Sequence, residues 1–353
     1  MNLEVEYRSL RHGAALSRMD HVGLVRVSGD DAIEAVDAIC SGDLWVRDGR
    51  MLQTLILGEQ GHPIADVYVC PDDEACILMF EGITTEELSA CLAQYAGTDL
   101  AIEVEELRPA YELISVNGPY AWEALSKWLT PDVIGLPYLS FYHFDRGTCF
   151  RAGKTGEYGY DLAIRNDHVE RAWEELLELV GALGGGAASL ETLDLCALEN
   201  GFFSVRHASV DGLTPLELQL QWRVSARKRF PGAKAIEERR AEGMNRRLTH
   251  FVAREGVERG DPIRDANGPV GEVTVAAFSP SIGGIAGTAL LDVSVAHPGI
   301  DAFFVPGPNA ERPIRTVSSP LLFNRSLLVD PHRHTYATRD EESNPPLWMG
   351  SLP

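Results

Sequence analysis

A nine-residue segment rich in glycine combines a tight backbone with a carboxylate. Residues 153–161 read Gly-Lys-Thr-Gly-Glu-Tyr-Gly-Tyr-Asp. Such a backbone turns sharply and lets a ligand come close. The carboxylate of Glu157, inside the turn, can accept two parallel N–H bonds from a flat heterocycle such as an aminopyrimidinone ring. The alternative is a glycine-rich hairpin with a solvated glutamate, which is the commoner meaning of so short a motif.

A second carboxylate stands inside an apolar run. Residues 64–69 read Ile-Ala-Asp-Val-Tyr-Val and predict a strand. The period of two places Ile64, Asp66 and Tyr68 on one face of that strand. An acid among apolar neighbours is unfavourable unless a partner or a ligand uses it. Asp66 is therefore the candidate catalytic residue, and the alternative is a strand residue that faces solvent.

The elements that must position these acids alternate between strands and helices. Strands at 22–28, 51–57, 64–69 and 76–80 and helices at 32–39 and 84–95 predict a first α+β unit over residues 1–110. Residues 111–247 predict a second unit, with strands at 113–116, 142–152 and 160–164, a long helix at 168–183 and a charged helical connector at 226–247. Hairpins between the strands favour antiparallel sheets. Short strands without a helical period predict an all-β, barrel-like domain over 248–339, followed by an extended tail over 340–353.

Composition limits the classes of partner. The chain has 353 residues and a formal net charge of −21, which repels nucleic acid and anionic lipid surfaces. No apolar run approaches the ~18 residues that a transmembrane helix needs. The acidic N-terminus lacks the features of a signal peptide, so we expect a cytoplasmic protein that does not bind membranes or nucleic acid.

Other site chemistries find little support. The six cysteines form no C-x-x-C pair and most lie in apolar surroundings, which predicts reduced, buried thiols and no metal site. His332 and His334 stand close together but without nearby acids or cysteines. Motifs of serine hydrolases, kinases and nicotinamide-dependent enzymes are absent.

Several segments resemble, in the same order, those of the glycine-cleavage T-protein family, the tetrahydrofolate-dependent aminomethyltransferases and their demethylase relatives. Residues 155–161 are similar to the Thr-Gly-Glu-x-Gly-Tyr-Glu segment of that family. The other matching segments are 20–29, 40–44, 61–69, 116–119, 198–201 with 214–217, and 271–274 with 278–280. The resemblance covers roughly residues 5–330.

The resemblance implies a three-domain α+β enzyme that moves a one-carbon unit between a small-molecule donor and tetrahydrofolate. Asp66 matches the family aspartate that touches the folate and the transferring group, and its charge would stabilise a cationic donor. Glu157 would bind the pterin. The other cofactor-binding candidates are Phe150, which could instead be core, Met51, Tyr160, which could instead pack behind the turn, and Arg223. The resemblance also implies a monomer and, in glycine cleavage, a lipoyl carrier protein as partner.

Departures from the family pattern keep alternatives open. Leu193 and Ala197 replace two family arginines, one of which grips the glutamate tail of folate. Arg206 or Arg223 could substitute for it. One alternative is a folate-independent transferase that moves another small group, such as an iminomethyl or amidine unit. Another is a non-enzymatic, folate-binding protein of iron–sulfur maintenance, although the region 225–232 lacks the cysteine of that branch.

Overall fold

A computed structural model describes residues 2–47, 49–96, 100–207, 212–308, 310–340 and 344–353. The helices follow local signals in the sequence. The third helix, for example, begins after Thr84, whose hydroxyl accepts from the Glu87 amide while the Glu87 carboxylate accepts from the Thr84 amide. The helices are α1 (Leu3–His12), α2 (Ala32–Ile39), α3 (Thr85–Tyr95), α4 (Ala121–Trp128), α5 (Asn166–Ala182), α6 (Leu190–Asn200) and α7 (Ala233–Glu242).

The strands form two open sheets and one closed barrel. They are β1 (Ala15–Arg18), β2 (Gly23–Ser28), β3 (Leu52–Leu57), β4 (Pro63–Asp72), β5 (Ala75–Glu81), β6 (Glu103–Glu106), β7 (Tyr111–Asn117), β8 (Phe141–Phe144), β9 (Gly147–Phe150), β10 (Gly159–Arg165), β11 (Gly186–Ala187), β12 (Arg246–Ala253), β13 (Pro262–Asp265), β14 (Gly268–Ser279), β15 (Gly284–Asp292), β16 (Phe303–Val305) and β17 (Arg312–Val317). The first sheet has the order β3-β4-β5-β2-β6, the second β11-β1-β7-β10-β9-β8, and the barrel β12-β15-β14-β13-β16-β17.

The two open sheets pack face to face. Alternate residues of each strand point to this interface, where Leu24 and Met79 of the first sheet meet Leu113 and Ala163 of the second. The opposite face of the first sheet is covered by α2 and α3, and that of the second by α4 and α5. Each sheet is therefore buried on both faces, and polar groups between the sheets lie away from bulk water.

The N-terminal segment joins the second sheet. Strand β1 pairs in parallel with β11 and antiparallel with β7, so it lies in the interior of that sheet. The boundary predicted at residue 110 would assign α1 and β1 to the first unit. The whole first sheet lies between β1 and its partners β7 and β11 in the sequence, although these three strands are neighbours in space.

The rest of the chain agrees with the predicted fold class. An α+β arrangement with two largely antiparallel sheets and a C-terminal β barrel is confirmed. In the connector, only residues 233–242 are helical, as α7. Residues 341–343 of the predicted tail lie outside the described residues, whereas 344–353 contain no helix or strand. In this tail the Leu347 carbonyl accepts from the Phe323 amide, and Trp348 and Leu352 pack against the barrel.

One local prediction needs correction, and one helix was not predicted. The strand expected over 142–152 is a hairpin, because the chain turns at 145–146 between β8 and β9. Helix α1 is not predicted from the sequence; it buries Arg11 completely, which its charged sequence does not suggest.

Candidate functional site

Two adjoining cavities lie near the interface between the sheets. The smaller, of about 60 Å³, is lined by both sheets and by Leu190, Leu193, Asp194 and Ala197 of α6. These four residues recur at helical spacing and therefore share one face of the helix. The larger cavity, of about 1080 Å³, extends towards the barrel and shares part of its wall with the smaller one, namely Asp194, Ala197 and Ser204. We call them the inner and the outer cavity.

Asp66 lies in the wall of the inner cavity, on β4. It is 3% exposed, so the alternative of a solvent-facing residue is wrong. Lys154 Nζ lies 2.9 Å from Asp66 Oδ2 as an ion pair, and Arg223 Nη1 donates to Asp66 Oδ1 at 2.9 Å. Both oxygens of this carboxylate therefore face a cation. An acid in an apolar strand is tolerated here because it has these partners.

A second acid, Glu81, stands directly opposite Asp66 in the register of β4 and β5. Two facing carboxylates repel each other unless a cation intervenes. Lys154 supplies it, with Nζ 2.7 Å from Glu81 Oε1, and Arg206 Nε donates to Glu81 Oε2 at 2.7 Å. Burial alone would raise the pKa of Glu81, but Lys154 and Arg206 outweigh it and lower this pKa to about 2. The ammonium of Lys154 is held in its charged form, because Asp66 and Glu81 overcome burial and raise its pKa to about 12.

The second sheet contributes Asp161, on β10. Its Oδ1 accepts from the Ser115 hydroxyl at 2.5 Å, and the Ser115 hydroxyl oxygen in turn accepts from the side-chain amide of Asn117 at 2.7 Å. Among the described residues, no hydrogen bond is formed to Asp161 Oδ2. Burial raises the pKa of Asp161 to about 6, although the Ser115 hydrogen bond and Lys154 oppose that rise. Asp161 therefore carries a carboxyl oxygen that is available to a ligand.

Sequence reasoning missed Asp161 as a site residue. The signal was present, since Asp161 is the last residue of the glycine-rich segment and aligns with an acid of the family pattern. Its position on a strand, rather than in the turn, points its carboxyl towards the facing sheet. Asp66 and Asp161 thus reach one cavity from two sheets.

Glu157 does not lie in the walls of either cavity. Its side chain is fully buried, so the alternative of a solvated glutamate is wrong. Glu157 Oε2 accepts from the amide and the hydroxyl of Ser326 at 2.8 and 2.7 Å, and Oε1 accepts from the Arg325 amide and, at 3.4 Å, from Arg11. In this arrangement the carboxylate binds the chain beyond the barrel to the glycine-rich turn. The predicted pterin contact of Glu157 stays a prediction that this geometry does not favour.

The aromatic and apolar candidates belong to the core. Phe150 and Met51 lie in the cluster between the two sheets, and the Phe150 ring packs 5.9 Å from that of Phe141. Tyr160 points to the other face of the second sheet, where the guanidinium of Arg151 lies 4.5 Å from the centre of its ring. None of these three side chains lines the inner or the outer cavity. Phe150 and Tyr160 thus pack as their alternatives describe, Met51 is also a core residue, and a cofactor contact of any of the three stays a prediction.

The two candidate substitutes for the missing family arginines have other partners. Arg206 binds Asp194 through both terminal nitrogens, at 3.1 and 2.6 Å, besides Glu81. Arg223 binds Asp66 and lines the outer cavity, and its Nε has no hydrogen-bond acceptor in the described chain. Gln53 Nε2 and Ser204 Oγ, on the same cavity wall, are also buried without a partner there.

The described residues also bear on metal binding, disulfide bonds and membrane-spanning helices. No group of three or more histidine, cysteine or acidic side chains is arranged to hold a metal ion in the described ranges. All six cysteines are free thiols, five of them buried. None of the described helices could cross a lipid bilayer.

Two facing sheets with acids buried between them, joined to a closed barrel, define a three-part α+β class of protein with a polar site between its sheets. Comparisons with known proteins identify the family. Residues 2–228 match the GCVT N-terminal domain, and residues 246–322 match the glycine cleavage T-protein C-terminal barrel domain. The chain belongs to the glycine-cleavage T-protein family, and it is a one-carbon group transferase.

Individual relatives are distant but cover most of the chain. An aminomethyltransferase of Halothermothrix orenii is 28% identical over 306 residues, which are 83% of this chain and 84% of the relative. One from Thermotoga neapolitana is 24% identical over 314 residues, 87% and 86% of the two chains. The crystal structure of glycine cleavage system aminomethyltransferase T from Bartonella henselae has a TM-score of 0.80, with 22% identity, over 90% of this chain and 89% of that one. This last likeness confirms the fold.

Proposed function

We propose that this protein transfers a one-carbon unit between a small-molecule donor and tetrahydrofolate, with Asp66 and Asp161 as the acids of the site. The observation that carries the proposal is that these two buried acids, from facing sheets, line one cavity. Burial in a water-poor site makes a carboxylate a stronger electrostatic partner for a group that develops positive charge.

The residues present are compatible with a folate. The inner cavity holds roughly two water molecules, whereas the outer cavity, at about 1080 Å³, has the size of a site for a drug-sized ligand. Leu195, Leu198 and Phe203 give the outer cavity an apolar wall that suits an aromatic ring. Asp161 lines the inner cavity and uses only Oδ1 towards Ser115, so its Oδ2 can accept an N–H group of a heterocycle. Tetrahydrofolate would supply the nitrogen that accepts the one-carbon unit.

The protein contributes position and charge. Asp66 is fixed by ion pairs from two different segments, so its carboxylate cannot rotate freely. The hydrogen-bonded series from Asn117 through Ser115 to Asp161 fixes the second acid in the same way. Preorganised groups of this kind accelerate transfer because they need no rearrangement during the reaction.

Isothermal titration with tetrahydrofolate tests the proposal. The wild-type protein should bind in the micromolar range, and Asp161→Asn should weaken binding at least about tenfold, a loss comparable to one strong hydrogen bond. Asp66→Asn should abolish methyl or aminomethyl transfer to tetrahydrofolate, with folding checked by circular dichroism. Asp145→Asn, at an exposed turn, is the matched control. Failure of well-folded wild-type protein to bind at high micromolar concentration would reject the folate assignment.

One alternative is a transferase that does not use folate. Leu193 and Ala197, which replace the family arginines, are buried in the cavity walls. Because both side chains are apolar, neither can pair with the glutamate tail of a folate. Transfer that depends on Asp66 but not on added tetrahydrofolate would favour this alternative. A non-enzymatic maintenance protein would instead be indifferent to Asp66→Asn. A carrier protein as partner and a monomeric state stay predictions.

A further inference from the structure

We infer that Lys154 occupies the cation position beside Asp66, so that the site selects a one-carbon donor that carries a carboxylate rather than an ammonium group. This inference rests on the proposed function in placing the donor beside Asp66. The family resemblance leads to the expectation that Asp66 stabilises a cationic donor. The structure places a cation of the protein itself at that carboxylate.

Cations of the protein itself surround Asp66 and its neighbour Glu81. The side chain of Lys154 is 18% exposed and touches Asp66 and Glu81 at 2.9 and 2.7 Å. Arg223 reaches the other oxygen of Asp66, and Arg206 reaches the other oxygen of Glu81. Neither acid keeps an oxygen without a cationic neighbour. An ammonium group brought to Asp66 would therefore lie beside Lys154 and Arg223 rather than beside an unpaired oxygen of Asp66, and burying it there would be costly.

The outer cavity has a surplus of hydrogen-bond donors in its wall. Gln53 and Arg223, 7% and 4% exposed, line this cavity and carry Nε2 and Nε groups without acceptors among the described residues. Arg247 Nε, on the same wall, is a third such donor. A buried donor without an acceptor is costly, and a ligand removes that cost by bringing acceptor oxygens. A carboxylate brings two of them in the geometry that guanidinium groups prefer.

Lys154 also has a purely structural interpretation, since it separates two facing carboxylates on β4 and β5. The two interpretations predict different effects of substituting Lys154. A structural lysine affects stability alone, whereas a selecting lysine changes the ratio of affinities for anionic and cationic ligands. Lys154→Met can fold because Asp66 keeps Arg223 and Glu81 keeps Arg206 as partners.

The test uses a matched pair of probes that share an O-methyl group, methoxyacetate and 2-methoxyethylamine. We expect the wild-type protein to bind methoxyacetate at least about tenfold more tightly, by titration or ligand-observed NMR. Lys154→Met should reduce that preference at least about tenfold or reverse it, and Lys154→Arg should keep it. Lys127→Met, on the exposed side of α4, should behave as the wild type.

Equal affinity for the two probes, a preference of the wild-type protein for the amine, or an unchanged ratio in Lys154→Met would each overturn the inference. So would the absence of methoxyacetate binding at about 50 mM, the weak limit of specific recognition. Titration of tetrahydrofolate into the same samples separates this failure from that of the proposed function. Folate binding without probe selection rejects the inference alone, and probe selection without folate binding rejects the folate assignment alone.

Discussion

Arg223 Nη1 lies 2.9 Å from Asp66 Oδ1, and this pair joins the segment after α6 to the middle of the first sheet. Both side chains are buried, at 4% and 3% exposure. The contact spans the wall between the cavities, since Asp66 lines the inner and Arg223 the outer one. The sequence predicts that Arg223 holds a cofactor, and its placement makes it first of all the residue that orients the candidate catalytic acid.

Arg223→Gln should lower both stability and transfer. The variant removes a buried charged hydrogen bond but leaves Lys154 beside Asp66, so we expect a loss of about 1–3 kcal/mol in the free energy of unfolding. Urea denaturation measures it, with the exposed Arg229→Gln as control. Transfer should fall because Asp66 loses one of its two restraints. A variant as stable and as active as the wild type would show that Arg223 does not orient Asp66.

Asp161→Asn should change the pH dependence of stability in a defined direction. Burial raises the pKa of Asp161 to about 6, so between about pH 4 and pH 6 the folded protein retains a proton that the unfolded chain has lost. This residue therefore makes the wild type progressively less stable as pH rises through that window. The stability of Asp161→Asn relative to the wild type should increase by about 1–3 kcal/mol from pH 4 to pH 7.

Denaturation of both proteins across this pH range checks that prediction. Asp145→Asn should track the wild type throughout, because Asp145 is exposed. A relative stability of Asp161→Asn that is constant with pH would mean that the Asp161 carboxyl titrates normally and is not buried as described.

Glu157→Gln should destabilise the protein without weakening folate binding. Its carboxylate accepts from Ser326 and Arg325 and faces Arg11, and a glutamine satisfies these donors less well. We expect a loss of about 1–3 kcal/mol in the free energy of unfolding. The tetrahydrofolate dissociation constant should stay within about twofold of the wild type. The reverse outcome, intact stability with lost folate affinity, would restore Glu157 as a pterin ligand. Glu255→Gln, at an exposed site, is the control.

Gly156→Ala should be strongly destabilising. Gly156 has φ of +79°, and a Cβ placed there would lie 2.3 Å from Asn200 Oδ1. Both the left-handed backbone and the contact oppose a side chain, so we expect a loss of more than about 2 kcal/mol. Gly181→Ala is the matched control, since Gly181 lies in α5 and a Cβ there would have no neighbouring atom within 4 Å. It should be neutral or stabilising by up to about 1 kcal/mol. Thermal unfolding compares the two.

The periodic parts of the fold could be predicted from sequence. The run of residues 64–69 predicts a strand with Asp66 on the face that looks towards the second sheet, because alternation is a local property. The pairing of β1 with β7 and β11 could not be predicted, since nothing in four residues specifies which distant strand they join. Helix α1 could not be predicted because Arg11 is buried by partners supplied by Glu157 and Glu199, far along the chain.

The candidate site could be predicted in part for the same reason. Asp66 stands out as a lone acid among apolar residues, which is visible locally. The role of Glu157 depends on residues 325–326, which come from far along the chain and donate to its carboxylate. Asp161 alternates with Tyr160 on β10, and which of the two faces the inner cavity depends on how the sheets pack. Lys154 resembles an ordinary turn residue in the sequence, because its two carboxylate partners come from another sheet.

The interior position of β1 has a consequence for how the chain can be divided. Strand β1 precedes the whole first sheet in the chain, and its antiparallel partner β7 comes only at Tyr111–Asn117, after that sheet is complete. The strands of the first sheet, β2 to β6, all lie between these two partners in the sequence. A fragment that starts after Arg18 should therefore expose the bare edge of β7 and associate with copies of itself.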